Sequence, residues 1–349
     1  MKKMFLFPFV ILLIVLSLTA CGEAKSKTAS EVERDSDSGN TEKNIQKVVI
    51  AEGNTGFMLT PIYVAVEKGF FEEEGLDVER VTLSGGSKAL TAVIGGGADI
   101  ATVALVDTMK AIESGQDVQA IGSLFNQIGT NIVINKDIAA EKGVTADSSM
   151  EEKVLALKGL KIGISSPGSG SDHIIRKLLE SEGVNPDREV ELIPLGQADA
   201  QLAAFKNKDV QAFVYSSPTT DMATKLDGII LFNYSKGEVE EYDGLTYLTL
   251  VSQTKDLEEN KELFQKVTNA LAKSGKFIES DRDGTKEILK KYIEGIDPEV
   301  FNIAFENNYP AFAKSPMITK EGYEKNIEFG GIDLPFDDVV NNEFAENAQ

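Results

Sequence analysis

Cysteine and histidine are nearly missing from this 349-residue chain, one of each, and tryptophan is missing altogether. A single thiol excludes an intramolecular disulfide, a Cys-x-x-Cys redox pair and a zinc site built on several thiolates. With His173 the lone imidazole, nearly all His/Cys metal and catalytic constellations go too, and neither a metal nor a cofactor is expected. Basic residues are scarce: 35 Lys and Arg stand against 56 Asp and Glu, a formal net charge of -21. Nucleic-acid binding relies on cations that displace counterions from phosphate, so nucleic acid is not an expected partner. Gly163, Gly168, Gly170 and the Gly85-Gly86 pair precede no Gly-Lys-[Ser/Thr], which removes a Walker loop and with it phosphoryl transfer. What is present is ordinary for a folded protein: 42% hydrophobic residues, 26% charged, and length for about two domains of roughly 150 residues.

Lys2 and Lys3 precede an apolar stretch that runs from Met4 into Leu18-Thr19-Ala20-Cys21. Positive residues, an apolar run and small residues make an export signal, and the run is at the short limit for a membrane-spanning helix. Leu-Thr-Ala-Cys resembles a bacterial lipobox, in which the cysteine is lipid-modified and becomes the first residue, and the only thiol of the chain stands there. Residues 1–20 are therefore expected to be a lipoprotein signal peptide and Cys21 the lipidated residue, acylated and holding the protein on the outer face of the cell membrane. Residues 22–44 are rich in Ser, Lys, Glu and Asp and almost free of apolar side chains. Such a segment cannot bury enough surface to offset its ordering entropy, so 21–44 reads as a disordered tether.

From Ile45 onward, β-rich runs alternate with amphipathic windows, the pattern of a largely parallel α/β sheet. Strands are expected near 47–52, 77–83, 99–105, 118–124 and 131–135, then near 160–165, 190–194, 210–215, 228–232 and 245–251. Helices are expected near 61–74, 88–95, 172–182, 198–206 and 219–225. After Val251 the pattern is helical only, near 260–279, 285–293, 298–312 and 319–329. A tail of that length must cover an existing sheet, and the first unit is the expected host. This gives lobe 1 at 45–132 and 248–349, lobe 2 at 133–247, and two crossings that act as a hinge around a ligand cleft.

Four blocks then carry a family likeness: 60–79 (TPIYVAVEKGFFEEEGLDVE), 85–101 (GGSKALTAVIGGGADIA), 165–172 (SSPGSGSD) and 195–214 (LGQADAQLAAFKNKDVQAFV). In this order they resemble the nitrate/sulfonate/taurine class of ABC-transporter substrate-binding proteins, which includes binders of thiamin-precursor pyrimidines. The resemblance implies a two-lobed, type II periplasmic-binding-protein-like α/β fold with a C-terminal helical extension. It also implies capture of a sulfonate- or nitrate-like anion or a small heterocycle, delivery to ABC permease subunits, and no enzymatic activity. A membrane-tethered ligand sensor, or an enzyme on the same fold, are the competing readings.

The residues themselves point to strand ends, where ligands sit in open α/β sheets. Phe57 follows the first strand and is either a wall of the site or a core residue under the loop. Gly86 and Ser87 open a helix, as a ligand-facing N-terminus or as a plain serine cap. Ser166, Ser169 and Ser171 form a denser donor nest before the next helix. Tyr215 and Ser216 end a strand of lobe 2 and could add an apolar wall and a hydroxyl. His173, with no nucleophile beside it, is expected to be a solvated or cap-region histidine, and whether Lys88, Asp172 or His173 reaches the ligand stays open.

Overall fold

A computed structural model of the chain describes residues 45–53, 55–83 and 85–348. The expected signal peptide, Cys21 and the whole of the tether lie outside the described residues.

Among the described residues, ten strands form two sheets of the same plan. The first contains β1 (Gln46–Glu52), β2 (Leu76–Thr82), β3 (Ile100–Ala104), β4 (Val118–Phe125) and β10 (Leu248–Gln253), in the order β2-β1-β3-β10-β4. The second contains β5 (Thr130–Asn135), β6 (Lys161–Ile164), β7 (Glu191–Pro194), β8 (Ala212–Ser216) and β9 (Gly228–Phe232), in the order β7-β6-β8-β5-β9. In each, one strand pairs in parallel with two neighbours, β1 with β2 and β3, β6 with β7 and β8. In each, one strand returning from the other half inserts antiparallel, β10 between β3 and β4 and β5 between β8 and β9. Helices cover both faces, so the inner strands read as near-continuous apolar runs: every residue of β3 and of β5 is buried.

The helices are α1 (Thr60–Glu67), α2 (Phe70–Glu73), α3 (Gly86–Ile94), α4 (Leu105–Glu113), α5 (Lys136–Lys142), α6 (Met150–Ala156), α7 (Gly170–Ser181), α8 (Ala198–Lys206) and α9 (Thr219–Met222). The tail adds α10 (Thr254–Glu259), α11 (Lys261–Ser280), α12 (Arg282–Tyr292), α13 (Pro298–Asn308), α14 (Lys320–Gly330), α15 (Phe336–Val339) and α16 (Glu343–Glu346). The chain turns from α2 into β2 at Gly75, whose φ of 76° lies in the left-handed region that glycine enters without steric penalty. Phe71 and Leu76 on either side of that turn are buried in the core.

Because β5 belongs wholly to the second sheet from Thr130 onward, the first crossing lies at 126–129 and not after Ile132 as expected. The tail packs mainly on the first sheet's helices, with α11 against α1 and α2, and adds bridges from Phe312 to Phe125 and from Val340 to Ala120. It does more than cover that lobe. Helix α13 also touches α9 of the second half, where the Asn308 side-chain amide donates to Ser217 Oγ at 3.0 Å.

The tail also settles the place of Phe57. Phe301, Phe305 and Phe312 surround its ring at centroid distances of 5.6, 6.5 and 6.4 Å, and it is fully buried. Phe57 is thus a core residue under the loop and not a wall of the cleft. Aromatic rings pack this way because each buries a large apolar area, about 1.5–3 kcal/mol per side chain.

Candidate functional site

Four strand ends converge between the two sheets. From the first sheet, β2 leads through Gly85 into α3, and β3 leads directly into α4. From the second, β6 leads through a serine loop into α7, while β8 ends at Ser216. Between them lies a polar cavity of about 20 Å³ lined by Gly85, Gly86, Ala104 and Asp107 on one side, and Ser165, Ser169, Gly170, Ser171, Tyr215 and Ser216 on the other. Thr130 and Tyr247, which flank the two crossings, close its floor with Leu248. That volume admits about one water molecule, so a solute enters only when the lobes part.

The lobes are drawn together by direct hydrogen bonds. Ser87 Oγ donates to the Gly168 carbonyl at 3.0 Å, and Gln197 Nε2 donates to the Leu83 carbonyl at 2.8 Å. Thr130 Oγ1 and Tyr247 Oη share a bond of 2.9 Å across the crossings. Lys110 Nζ on α4 lies 2.6 Å from His173 Nδ1 on α7. An ammonium only donates, so Nδ1 accepts and Nε2 carries the ring proton. Burial first, and the Lys110 charge second, push the His173 imidazole down to about 4. The ring also stands edge-on to Phe329 at 4.9 Å. His173 is therefore an interlobe contact kept neutral; it stands in the first turn of α7, in the cap region as expected, and is half-buried instead of solvated.

Three hydroxyls of the serine loop of lobe 2 bond within the loop, while Ser166 Oγ has no partner among the described residues. Ser169 Oγ donates to the Ser166 carbonyl at 2.7 Å, Ser169 and Ser171 hydroxyls are 2.9 Å apart, and Ser171 and Ser165 hydroxyls 2.8 Å apart. Each hydroxyl has one proton, so the chain of donors must run Ser165 to Ser171 to Ser169 to the Ser166 carbonyl. Ser169 also caps α7, accepting from the Asp172 N–H. Asp172 accepts from the Gly168 N–H at 2.8 Å and from Arg176 Nε at 2.8 Å, and so works inside the loop. The hydroxyl protons of these three serines are committed. What they offer a ligand is lone pairs, beside the first-turn N–H groups of α7, which have no intrahelical partner.

Lobe 1 differs. Gly85, at φ 92°, brings the backbone so close to the other lobe that a Cβ there would stand 3.0 Å from Ser166 Oγ. The first turn of α3 presents its N–H groups from Gly86 onward. Beside it Asp107, in the first turn of α4, is only 6% exposed, and neither carboxylate oxygen has a hydrogen-bond partner among the described residues. Burial pushes its carboxyl up to about 7, with the Lys110 charge opposing and Asp172 adding to the shift.

Of the residues singled out in the sequence, Gly86, Ser169, Ser171, Tyr215 and Ser216 line the cavity. Ser87 and Ser166 flank it: Ser87 bridges the lobes, and Ser166 Oγ, against Gly85, is buried without a partner among the described residues. Phe57 is elsewhere. Asp107, Thr130 and Tyr247 escaped the sequence reading. Asp107 could have been found by its place, just past the end of a strand at 99–105, where the helix now seen as α4 went unread.

Known proteins agree with this architecture. YtlA of Bacillus subtilis (strain 168), which carries the name of a binding protein, is 26% identical over 87% of this chain and 90% of its own length. A 4-amino-5-hydroxymethyl-2-methylpyrimidine phosphate synthase of Aspergillus parasiticus is 36% identical, over only 30% of this chain and 27% of its own. Among solved structures, the alkanesulfonate-binding protein SsuA from Xanthomonas axonopodis pv. citri bound to MOPS superposes with a TM-score of 0.65 at 19% identity, covering 81% of this chain and 90% of that one. The fold is thus the two-lobed one of periplasmic binding proteins, as the sequence resemblance implied. The model described as NMT1/THI5 like matches residues 57–283, well over half of the chain, and the chain belongs to that family.

Proposed function

We propose that the protein is the solute-capturing component of an ABC importer, held outside the cell membrane by lipid on Cys21, and that it closes its two lobes on a small solute for delivery to permease subunits. The observation that carries this reading is the polar cavity walled by both lobes, with helix N-termini from each aimed at the same space. Gly86, Ser169, Ser171, Tyr215 and Ser216 contact the solute, and Ser87 and Ser166 close over it. A ligand that touches both lobes binds the closed form better and shifts the population toward it. The likeness to YtlA and SsuA, both named as binding proteins, supports capture. Binding is favoured over the synthase chemistry found elsewhere in the family because the one imidazole is outside the cavity lining and engaged by Lys110.

The test is to identify by native mass spectrometry the solute that accompanies the protein, then to delete the gene and follow uptake of that solute. Uptake should collapse and return with the intact gene, while Cys21→Ala should release the protein from the membrane. Undiminished uptake in the deletion strain contradicts the importer role.

A further inference from the structure

We propose that Lys110 and His173 form a proton-sensitive latch between the lobes, whose hold on the closed form lasts only while the imidazole is neutral. The inference rests on the lobes parting to admit a solute and on no property of the solute itself.

Three observations carry it. Lys110 on α4 and His173 on α7 belong to opposite lobes, and their nitrogens are 2.6 Å apart, closer than the Ser87–Gly168, Gln197–Leu83 and Thr130–Tyr247 bonds that also cross the seam. Those three join hydroxyls, an amide and carbonyls, whose charge does not change between about pH 5 and pH 8, whereas an imidazole titrates in that range. Second, the bond has one possible direction. The ammonium can only donate, so it needs the Nδ1 lone pair, and a proton on that atom both removes the acceptor and sets two cations against each other across the seam. Third, no carboxylate touches the pair to absorb the added charge. The Asp107 oxygens have no partner among the described residues, and Asp172 is taken up by the Gly168 N–H and Arg176.

The groups facing the imidazole are Lys110 from α4, Asp172 and Lys177 from its own helix, and from α14 the Phe329 ring and backbone, which Nε2 approaches without completing a hydrogen bond. Burial and Lys110 hold the imidazole at about 4 in the closed form, against about 6.5 for a solvated one. The closed form therefore sheds a proton that the open form keeps, and acidification below about pH 6.5 favours opening through His173. Asp107, one turn before Lys110 on α4, works in the opposite sense: burial pushes its carboxyl up to about 7 in the closed form, so acid favours closing through that group. The two titrations are separable, because replacing the imidazole leaves Asp107 in place.

The experiment uses the full chain carrying Cys21→Ala, which has no native thiol, and compares this parent with His173→Asn, whose side-chain oxygen can accept from Lys110 at every pH. Spin labels on Ser114→Cys and Ser181→Cys, exposed positions at the ends of α4 and α7, report the spacing of the lobes from pH 8 to pH 5 with no solute added. The two proteins should keep a constant offset above about pH 7 and diverge below about pH 6.5, the closing constant of the parent falling about thirtyfold relative to the variant by pH 5. In parallel, the imidazole resonance, which needs no assignment in a chain with one histidine, should titrate well below its ordinary value and move up in Lys110→Met. That second readout stands even if His173→Asn folds poorly. An offset that stays constant down to pH 5, an imidazole that titrates at its ordinary value, or one that ignores Lys110→Met would each overturn the latch. Because no solute enters, such a failure leaves the importer reading standing, and undiminished uptake in the deletion strain would leave the latch standing.

Discussion

The two lobes approach the cavity with the same device, a strand end feeding a helix N-terminus, but leave different groups without partners, hydroxyls in lobe 2 and a carboxyl in lobe 1. In lobe 2 the loop before α7 closes on itself: three serine hydroxyls, Asp172 and Arg176 bond one another, leaving a rigid surface of acceptors and backbone N–H groups. In lobe 1 the corresponding helices, α3 and α4, bring a bare glycine turn and an unpartnered carboxyl. Lobe 2 keeps the Ser166 and Ser216 hydroxyls without partners among the described residues, and lobe 1 keeps the Asp107 carboxyl. Leaving a buried polar group unpaired is what a binding protein tolerates when its partner is the solute, the usual trade of stability for function.

The largest effect should come from what stands behind the lobe 1 wall. Phe57→Ala removes the centre of the cluster with Phe301, Phe305 and Phe312 and should lower unfolding stability by about 3–5 kcal/mol in denaturant titration. Affinity per folded molecule should change little, because the ring does not reach the cavity. A variant of parental stability with lost binding would restore Phe57 to the site.

Asp107→Asn sharpens the comparison from the front. Burial raises the Asp107 pKa in the folded state to about 7 from its ordinary 3.8, so the native protein holds a proton that the unfolded chain gives up as pH rises between them. Wild-type stability contributed by this group therefore falls as pH climbs from about 4 to about 7 and stays low above. The asparagine variant, free of that titration, should be more stable than the ligand-free parent by about 1–3 kcal/mol above pH 7 and should lose the advantage near pH 4. Thermal unfolding across that range measures it. An advantage that does not grow with pH would mean that Asp107 has a partner in solution.

The serines divide along the same line, with smaller effects. Ser169→Ala removes a helix cap and two links of the hydroxyl chain and should reduce stability by about 0.5–2 kcal/mol. Ser87→Ala removes one exposed bond to Gly168 and should leave stability within about 0.5 kcal/mol while loosening the closed form. Equal losses from both would erase the distinction between the lobes.

Much of the architecture could be read in the sequence because periodicity and turn chemistry are local signals. The ten strands fall within a few residues of their expected places, and the helices at Gly86–Ile94, Gly170–Ser181 and Ala198–Lys206 follow the amphipathic windows. The helix Leu105–Glu113 went unread because it starts on the residue after β3, with no turn residue between to mark the change of period. For the site, glycine and serine loops were legible as helix N-termini. Asp107 was not, since an aspartate in a first helical turn is ordinary and only burial between two lobes makes it exceptional. Phe57 was ambiguous for a related reason: its neighbours come from the tail, more than two hundred residues later, and no local pattern announces them.

The most direct test of a solute held between the two walls is amide hydrogen exchange of the protein with and without the solute identified by mass spectrometry. Protection should rise together in the first turns of α3 (Gly86–Ile94), α4 (Leu105–Glu113) and α7 (Gly170–Ser181), one set from each lobe. Protection confined to one lobe, or appearing instead at the surface hollow formed by Met317, Lys320 and Phe336, would contradict a site between the lobes.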